Sequence, residues 1–106
     1  MRSDEVPRHY VVSGRWPKAE LAPDCPAGAR YGLELARRLM AEMTLQGLTQ
    51  RDVAARSGIG QATIGRITRG EVYPDLATLA RLETSLHARL YPADLLDVPG
   101  GPAGPS

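Results

Sequence analysis

The feature that most constrains this chain is residues 48–70, which are patterned as two short helices joined by a glycine turn. Thr49 can cap the first helix, because its hydroxyl can accept an orphan backbone N–H and Asp52, three residues later, can reach back as in a capping box. Gly58 stands where a left-handed residue is expected after a helix end, a conformation that glycine enters without a Cβ penalty. The pattern predicts helices over about 49–57 and 61–69.

Four residues in this stretch form a small–glycine–apolar–apolar set: Ala54, Gly58, Ile64 and Ile67. Two helices that cross steeply through so short a turn need a small residue where they touch, and Ala54 supplies it. Ile64 and Ile67 face inward at a spacing of three residues, and Gly70 closes the second helix. This set is the sequence signature of a helix-turn-helix.

The stretch also resembles, more specifically, the Cro/C1-type (Xre-like) family of phage repressors. That family's motif reads Leu-Thr-Gln, then Leu/Val-Ala, Gly-Val/Ile-Ser, Gln/Ser-x-Thr/Ser-Ile and finally Arg-Gly or Asn-Gly. This chain has Leu48-Thr49-Gln50, Val53-Ala54, Gly58-Ile59-Gly60, Gln61-Ala62-Thr63-Ile64 and Arg69-Gly70. The resemblance covers about residues 30–97 and implies an all-α, five-helix lambda-repressor-like bundle that binds double-stranded DNA.

In this fold the second helix of the motif lies in the major groove, with its first residues facing the base edges. The resemblance implies base contacts from Gln61, Ala62, Thr63 and Arg66. Gln61 can bond an adenine through its amide, Arg66 can bond guanine O6 and N7, and a methyl group from Ala62 or Thr63 can meet a thymine methyl.

The resemblance also implies phosphate contacts from Gln50, Gly60, Arg69 and Tyr73, with Gln50 in addition bracing the glutamine of the recognition helix. Such contacts position a protein on DNA without specifying sequence. Each site residue has a simpler interpretation. Gln61, Arg66 and Arg69 can be solvated surface side chains, and Tyr73 can anchor its loop against the next helix.

The chain departs from the family pattern in three places. Gly60 stands where the family usually has Ser or Thr, which removes a side-chain cap. Gly65 lies inside the second helix, costs about 1 kcal/mol relative to Ala, and is expected to leave a bare patch facing DNA. Met43 and Thr68 replace a buried Arg–Glu pair, and losing both charges together is tolerable because neither is left unpaired.

Helical spacing predicts two further long helices and one short one. The first runs from Gly32 to about Gln46, buries Leu33, Ala36, Leu39, Met40 and Met43, and leaves a solvated face of Arg37, Arg38 and Glu42. The fourth is capped by Asp75 and turns Leu76, Leu79, Leu82 and Leu86 inward. A short fifth helix begins at Pro92, with Leu95 and Leu96 covering one end of the core. Residues 98–106 are predicted to be a disordered tail.

Residues 1–29 form an extension in which four prolines exclude a long helix. The segment from Tyr10 to Trp16 predicts a small hairpin or a single strand, which would have to lie on the helical domain or pair with a partner chain. A disordered arm, or a basic arm that brings Arg8 and Arg15 to DNA, are the alternatives.

The net charge of +1 conceals an uneven distribution. Residues 1–29 are neutral, residues 30–91 carry +3 and residues 92–106 carry −2, while residues 48–70 hold four Arg and one Asp. The positive charge thus lies on the element that would meet phosphates.

Composition argues against several other functions. The single Cys25 gives no disulfide framework or metal cluster and fits a reducing cytoplasm, and no apolar run reaches the roughly 20 residues of a membrane span. His9 and His87 are far apart without ligand-type neighbours, so neither an enzyme nor a cofactor site is expected.

We therefore predict a cytoplasmic DNA-binding regulator, most simply a repressor. It is expected to bind as a homodimer, because one domain touches few base pairs. An antitoxin or protein-docking module of the same fold is the alternative.

Overall fold

The computed structural model describes residues 4–96. It contains a short 3-10 helix, a two-stranded hairpin and four α-helices. Their bounds are Pro7–Tyr10 for the 3-10 helix, Val11–Arg15 (β1), Lys18–Leu21 (β2), Ala27–Gln46 (α1), Gln50–Ser57 (α2), Gln61–Thr68 (α3) and Leu76–Leu86 (α4). The mostly helical fold and the N-terminal hairpin confirm the prediction, whereas the structure shows four helices in residues 4–96 rather than five. The predicted tail at 98–106 lies outside the described residues.

The α2–turn–α3 unit forms as its local sequence predicts. Thr49 accepts the Asp52 N–H at 3.1 Å and donates its own N–H to the Asp52 carboxylate at 2.9 Å, which completes the capping box. Gly58 ends α2 with φ 77°, in the left-handed region that glycine enters without strain. The predicted helix boundaries hold to within one residue.

The core lies where α1, α2, α3 and α4 meet. Its buried members include Leu39 on α1, Val53 on α2, Ile64 on α3 and Leu82 on α4, all fully buried. Met43 is half-buried against this cluster. The inward face predicted for α3 is thus confirmed, and burial of this face fixes which side of α3 remains in solvent.

α1 begins at Ala27, five residues before the predicted start at Gly32. Glycine at position 32 has a packing role, because a Cβ there would overlap the ring of Pro7. The 3-10 helix therefore lies directly against the first turns of α1, and Gly32 is an interior residue of the helix.

The predicted inward position of Leu76 is wrong. Leu76 is 80% exposed, whereas Leu82 and Leu86 are buried and Leu79 is half-buried. Asp75 caps α4 as predicted, accepting the Thr78 N–H at 2.7 Å. The first helical residue thus projects beyond the core, and only the later turns of α4 pack against it.

The predicted fifth helix does not form in the described residues. Residues 91–96 make a single turn, in which the Leu95 N–H donates to the Pro92 carbonyl. The Glu83 carboxylate accepts the N–H groups of Leu90 and Tyr91, which directs the chain back over the core. Leu90 and Pro92 are buried there, whereas Leu95 is 38% exposed.

The hairpin lies on the helical domain, as one of the predicted alternatives requires. β1 and β2 pair antiparallel around a turn at Trp16-Pro17, with Arg15 opposite Lys18. The Arg37 guanidinium donates to the carbonyls of Pro17 and Ala19 at 3.0 and 3.2 Å.

Arg37 is exposed and Arg38 is half-buried on the predicted outer face, but both side chains also bond to parts of the chain outside α1. Arg37 bonds the hairpin to α1, and Arg38 pairs with Glu34 and donates to the Tyr91 carbonyl. Of the three residues predicted on this face, only Glu42 bonds solely within its own helix, where its carboxylate accepts a hydrogen bond from the Gln46 amide.

None of the helices in residues 4–96 is both long enough and apolar enough to cross a membrane. Across the same residues, His, Cys, Asp and Glu side chains form no group of three that could hold a metal ion.

Candidate nucleic-acid interface

Helix α3 has one buried and one exposed face. Ile64 and Ile67 are 0% and 2% exposed, whereas Gln61, Ala62 and Arg66 lie in solvent. Because the apolar side chains hold α3 against the core, its polar side chains are presented outward on a helix that cannot easily rotate. Thr63 is half-buried on the first turn.

An open hollow of about 330 Å³ lies along this exposed face. Its lining residues are Gln50, Gln61, Ala62, Gly65, Arg66 and Arg69. The structure thus brings together three of the four residues predicted to contact bases and two of the four predicted to contact phosphate. Gly60, Thr63 and Tyr73 are not part of this lining.

Gly65 does not form the expected bare patch, because it is buried beneath two side chains. A Cβ at this position would lie 2.9 Å from Arg69 Nη1 and 3.1 Å from Gln50 Oε1. The missing side chain therefore lets Gln50 and Arg69 both lie over the backbone of α3 at the hollow. A glycine in the helix interior costs about 1 kcal/mol relative to Ala, and here it provides space for two polar groups.

Gln50 is held from the side of α3 by Thr68. The Gln50 amide donates to Thr68 Oγ1 at 3.4 Å, and Thr68 Oγ1 donates to the Gly65 carbonyl at 2.8 Å. Thr68 is buried. Its hydroxyl gives Gln50 a hydrogen-bond partner at the position where the family has the Glu of the buried Arg–Glu pair. Within the described residues no hydrogen bond joins Gln50 to Gln61, the glutamine it was expected to brace.

Gly60 leaves the N-terminus of α3 open. It is the N-cap residue, with φ −60° and ψ 142°, and it provides no side-chain hydrogen bond to the first turn. A Cβ at Gly60 would meet nothing within 4 Å. Since helix N-termini carry partial positive charge and free N–H groups, an anionic oxygen has access to the backbone here.

Arg69 is engaged with Glu71 in the free protein. Its Nε and Nη2 donate to the two carboxylate oxygens at 3.1 and 3.3 Å. Hydrogen bonding from Arg69 is the main cause of the lowered pKa of Glu71, and the positive charges of Arg69, Arg8 and Arg66 lower it further. The Arg66 side chain is exposed and makes no hydrogen bond or salt bridge among the described residues.

Tyr73 lies apart from this surface. Its hydroxyl donates to the Glu5 carbonyl at 2.7 Å, and its ring lies beside Gly28 and Gly32 of α1. Tyr73 is not among the residues that line the hollow, so the phosphate contact predicted for it stays a prediction. The simpler interpretation, in which Tyr73 anchors its loop, agrees with these contacts, which join it to the N-terminal extension and to α1.

No pattern in the sequence predicts the contacts between the N-terminal extension and α3. Trp16 Nε1 donates to the Thr68 carbonyl at 2.8 Å, and the Arg8 N–H donates to the Gly70 carbonyl at 2.9 Å. Arg8 Nη1 also donates to the Arg69 carbonyl at 3.1 Å. These donors satisfy carbonyls at a helix end that have no partner within the helix.

The chain is similar to known helix-turn-helix proteins. A family model described as helix-turn-helix matches residues 39–89. The restriction-modification controller protein C.AhdI from Aeromonas hydrophila is 28% identical, with a TM-score of 0.51 over 53% of this chain and 85% of that one. An HTH_3 family transcriptional regulator from Vibrio cholerae is also 28% identical, with a TM-score of 0.57 over 60% of this chain and 36% of that protein. This chain thus spans about a third of the Vibrio regulator. No curated protein matches the chain significantly.

Proposed function

Residues 39–89 belong to the helix-turn-helix family of DNA-binding transcriptional regulators, and we propose that this chain binds a specific double-stranded DNA sequence as a small repressor. The observation that supports the proposal best is the hollow on α3. Gln61 and Arg66, the two side chains suited to reading base edges, line it together with two groups suited to phosphate, Gln50 and Arg69.

Each residue has a distinct proposed role. Gln61 bonds an adenine and Arg66 bonds guanine O6 and N7 in the major groove, while Ala62 or Thr63 packs on a thymine methyl. Contacts with DNA phosphates are assigned to Gln50, Arg69 and the open N-terminus of α3 at Gly60. Gln50 comes from α2 and Arg69 from the C-terminal end of α3, but both lie over Gly65, so phosphate contacts from the two can hold α3 in place on the DNA.

The proposed DNA-bound form is a homodimer. One recognition helix contacts only a few base pairs, so useful specificity needs two helices on half-sites about one helical turn apart. A repressor of this kind acts by occluding a promoter, and we place its action in the cytoplasm together with that DNA.

The test is selection of bound sequences from a random duplex pool, with the unchanged protein and with the Gln61→Ala/Arg66→Ala double variant. The unchanged protein is expected to enrich a motif with two-fold symmetry. The double variant is expected to lose the enrichment, because each bidentate base contact contributes about 1–3 kcal/mol of discrimination.

Arg81→Ala is the matched control. It removes the same charge from an exposed arginine of α4 that does not line the hollow, and it should enrich the same motif as the unchanged protein. Equal loss in the control would show a general charge effect instead of reading by α3. Absence of binding at moderate salt would favour the alternative function as an antitoxin or protein-docking module, since DNA binding is driven by counterion release.

A further inference from the structure

The N-terminal extension brings a third arginine to the C-terminal end of α3. The Arg8 backbone N–H donates to Gly70, and its guanidinium donates to the Arg69 carbonyl at 3.1 Å. Arg69 in turn holds Glu71, whose own N–H donates to the Arg66 carbonyl. Arg8, Arg66, Arg69 and Glu71 are therefore linked by hydrogen bonds into one cluster beside the hollow.

The cluster has an excess of positive charge. Its three guanidinium groups are opposed by the single carboxylate of Glu71, and the charges of Arg8 and Arg66 both act on that carboxylate. Among the described residues Arg8 has no acidic partner of its own, since the three salt bridges join other residues. An excess of exposed guanidinium groups at the edge of a major-groove surface is suited to a DNA backbone phosphate.

We propose that the N-terminal extension is part of the DNA-binding surface, with Arg8 joining Arg69 on one backbone phosphate that replaces Glu71 in the Arg69 fork. The proposal rests on DNA binding by α3, as set out above. It assigns to residues 4–10 a direct contact with the ligand in addition to their packing against α1.

The exchange at Arg69 involves only hydrogen bonds and charge. Glu71 and Arg69 are 41% and 51% exposed, and an exposed salt bridge of this kind contributes little net stability. A DNA phosphate diester offers its two non-bridging oxygens to the same pair of Arg69 N–H groups. Arg8 supplies a further charge-assisted donor, which makes no hydrogen bond to the Glu71 carboxylate. Glu71 thus keeps the Arg69 side chain extended beside the hollow until DNA arrives.

The experiment measures the salt dependence of affinity for the selected duplex in full-length Arg8→Ala, Arg8→Lys and Arg30→Ala variants. Arg30 is a matched control, because it is an exposed arginine that also donates to a backbone carbonyl, that of Pro23. Each phosphate contact contributes about 0.9 to the slope of log affinity against log salt. Arg8→Ala should lower the slope by about 1, Arg8→Lys should retain most of it, and Arg30→Ala should leave it unchanged.

A fourth variant, Glu71→Gln, tests the exchange itself. It keeps the side-chain shape but removes the charge that competes with phosphate, so it should bind the duplex several-fold more tightly. Thermal unfolding of each variant shows whether the substitution has destabilised the fold. A loss of folded protein can lower the measured affinity, but it does not by itself change the slope of log affinity against log salt.

The outcomes separate the two proposals. A normal slope for Arg8→Ala, in a protein whose sequence preference still depends on Gln61 and Arg66, overturns the role of Arg8 and leaves DNA reading by α3 intact. Unchanged or weaker binding by Glu71→Gln overturns the exchange. An unchanged protein that binds no duplex overturns both.

Discussion

The indole N–H of Trp16 donates a 2.8 Å hydrogen bond to the carbonyl oxygen of Thr68, which joins the tip of the hairpin to the last turn of α3. The same ring lies against Gly70, where a Cβ would overlap it. The N-terminal extension therefore supports the helix that carries the proposed base contacts. The hairpin and α3 therefore pack as one unit, and the consequences for the free energy of unfolding can be measured.

Gly70→Ala should be markedly more destabilising than Gly47→Ala. Both glycines have a left-handed backbone, with φ 71° and 69°, so each alanine pays a similar conformational cost of about 1–2 kcal/mol. Only at Gly70 does the new methyl group overlap the Trp16 ring, and overpacking of this kind costs about 1–3 kcal/mol more. Urea unfolding followed by circular dichroism gives both free energies.

Removal of the Trp16 side chain is the control for that difference. In a Trp16→Ala background the overlap is gone, so Gly70→Ala should cost only about as much as Gly47→Ala. If the cost of Gly70→Ala is the same in both backgrounds, the Trp16 ring does not pack on Gly70 in solution.

Leu76→Ala and Leu82→Ala should differ strongly although both leucines are on α4. Leu82 is 0% exposed, so truncation leaves a cavity and should lower the free energy of unfolding by about 2–5 kcal/mol. Leu76 is 80% exposed, so its truncation should change stability by less than about 0.5 kcal/mol. A large loss for Leu76→Ala in the monomeric protein would contradict the exposed position, and chemical denaturation distinguishes the cases.

Asp75 should contribute to the loss of stability in acid. The hydrogen bond from the Thr78 backbone N–H is the main cause that lowers the pKa of Asp75 below its ordinary value of 3.8; the Thr78 side chain lowers it further, burial acts against this, and the charge of Arg81 adds to the lowering. Because the folded pKa is the lower one, the stabilisation is present above pH 3.8 and is lost as pH falls through the folded value.

Asp75→Asn tests this without removing the cap. Asparagine caps a helix about as well as aspartate but does not titrate, so the variant should resemble the unchanged protein at neutral pH and lose less stability on acidification. Asp94→Asn, a change at an exposed aspartate outside the described helices, is the matched control. Equal acid sensitivity of Asp75→Asn and the unchanged protein would contradict the prediction.

His87→Gly should stabilise the protein slightly. His87 ends α4 with φ 53°, the one described non-glycine residue with positive φ. Glycine removes a left-handed strain of about 1–2 kcal/mol but loses about 0.5–1 kcal/mol of chain entropy, so thermal unfolding should show a small increase in Tm. Ala80→Gly, in the exposed interior of the same helix, should instead cost about 1 kcal/mol.

The α2–turn–α3 unit and the polar face of α3 could be predicted from the amino-acid sequence alone. The capping box of Thr49 and Asp52, the glycine turn and the inward spacing of Ile64 and Ile67 act within one or two helical turns. Local interactions of this kind are visible in a short window of residues, because each depends on residue type and spacing alone. The exposed residues of α3 that line the hollow could be predicted for the same reason.

The polar side chains that hold the N-terminal extension could not be predicted, because their partners are distant in sequence and come together only in the folded chain. Arg37 has the position of a solvated residue in the helical pattern, yet it bonds the hairpin, and Trp16 bonds Thr68 across 52 residues of sequence. Likewise, Leu76 keeps the inward spacing of α4 but projects past the end of the core. Hydrophobic periodicity defines which face of a helix is apolar. Only the packed neighbours define how far along that face the core extends, and which segments distant in sequence cover the remaining surface.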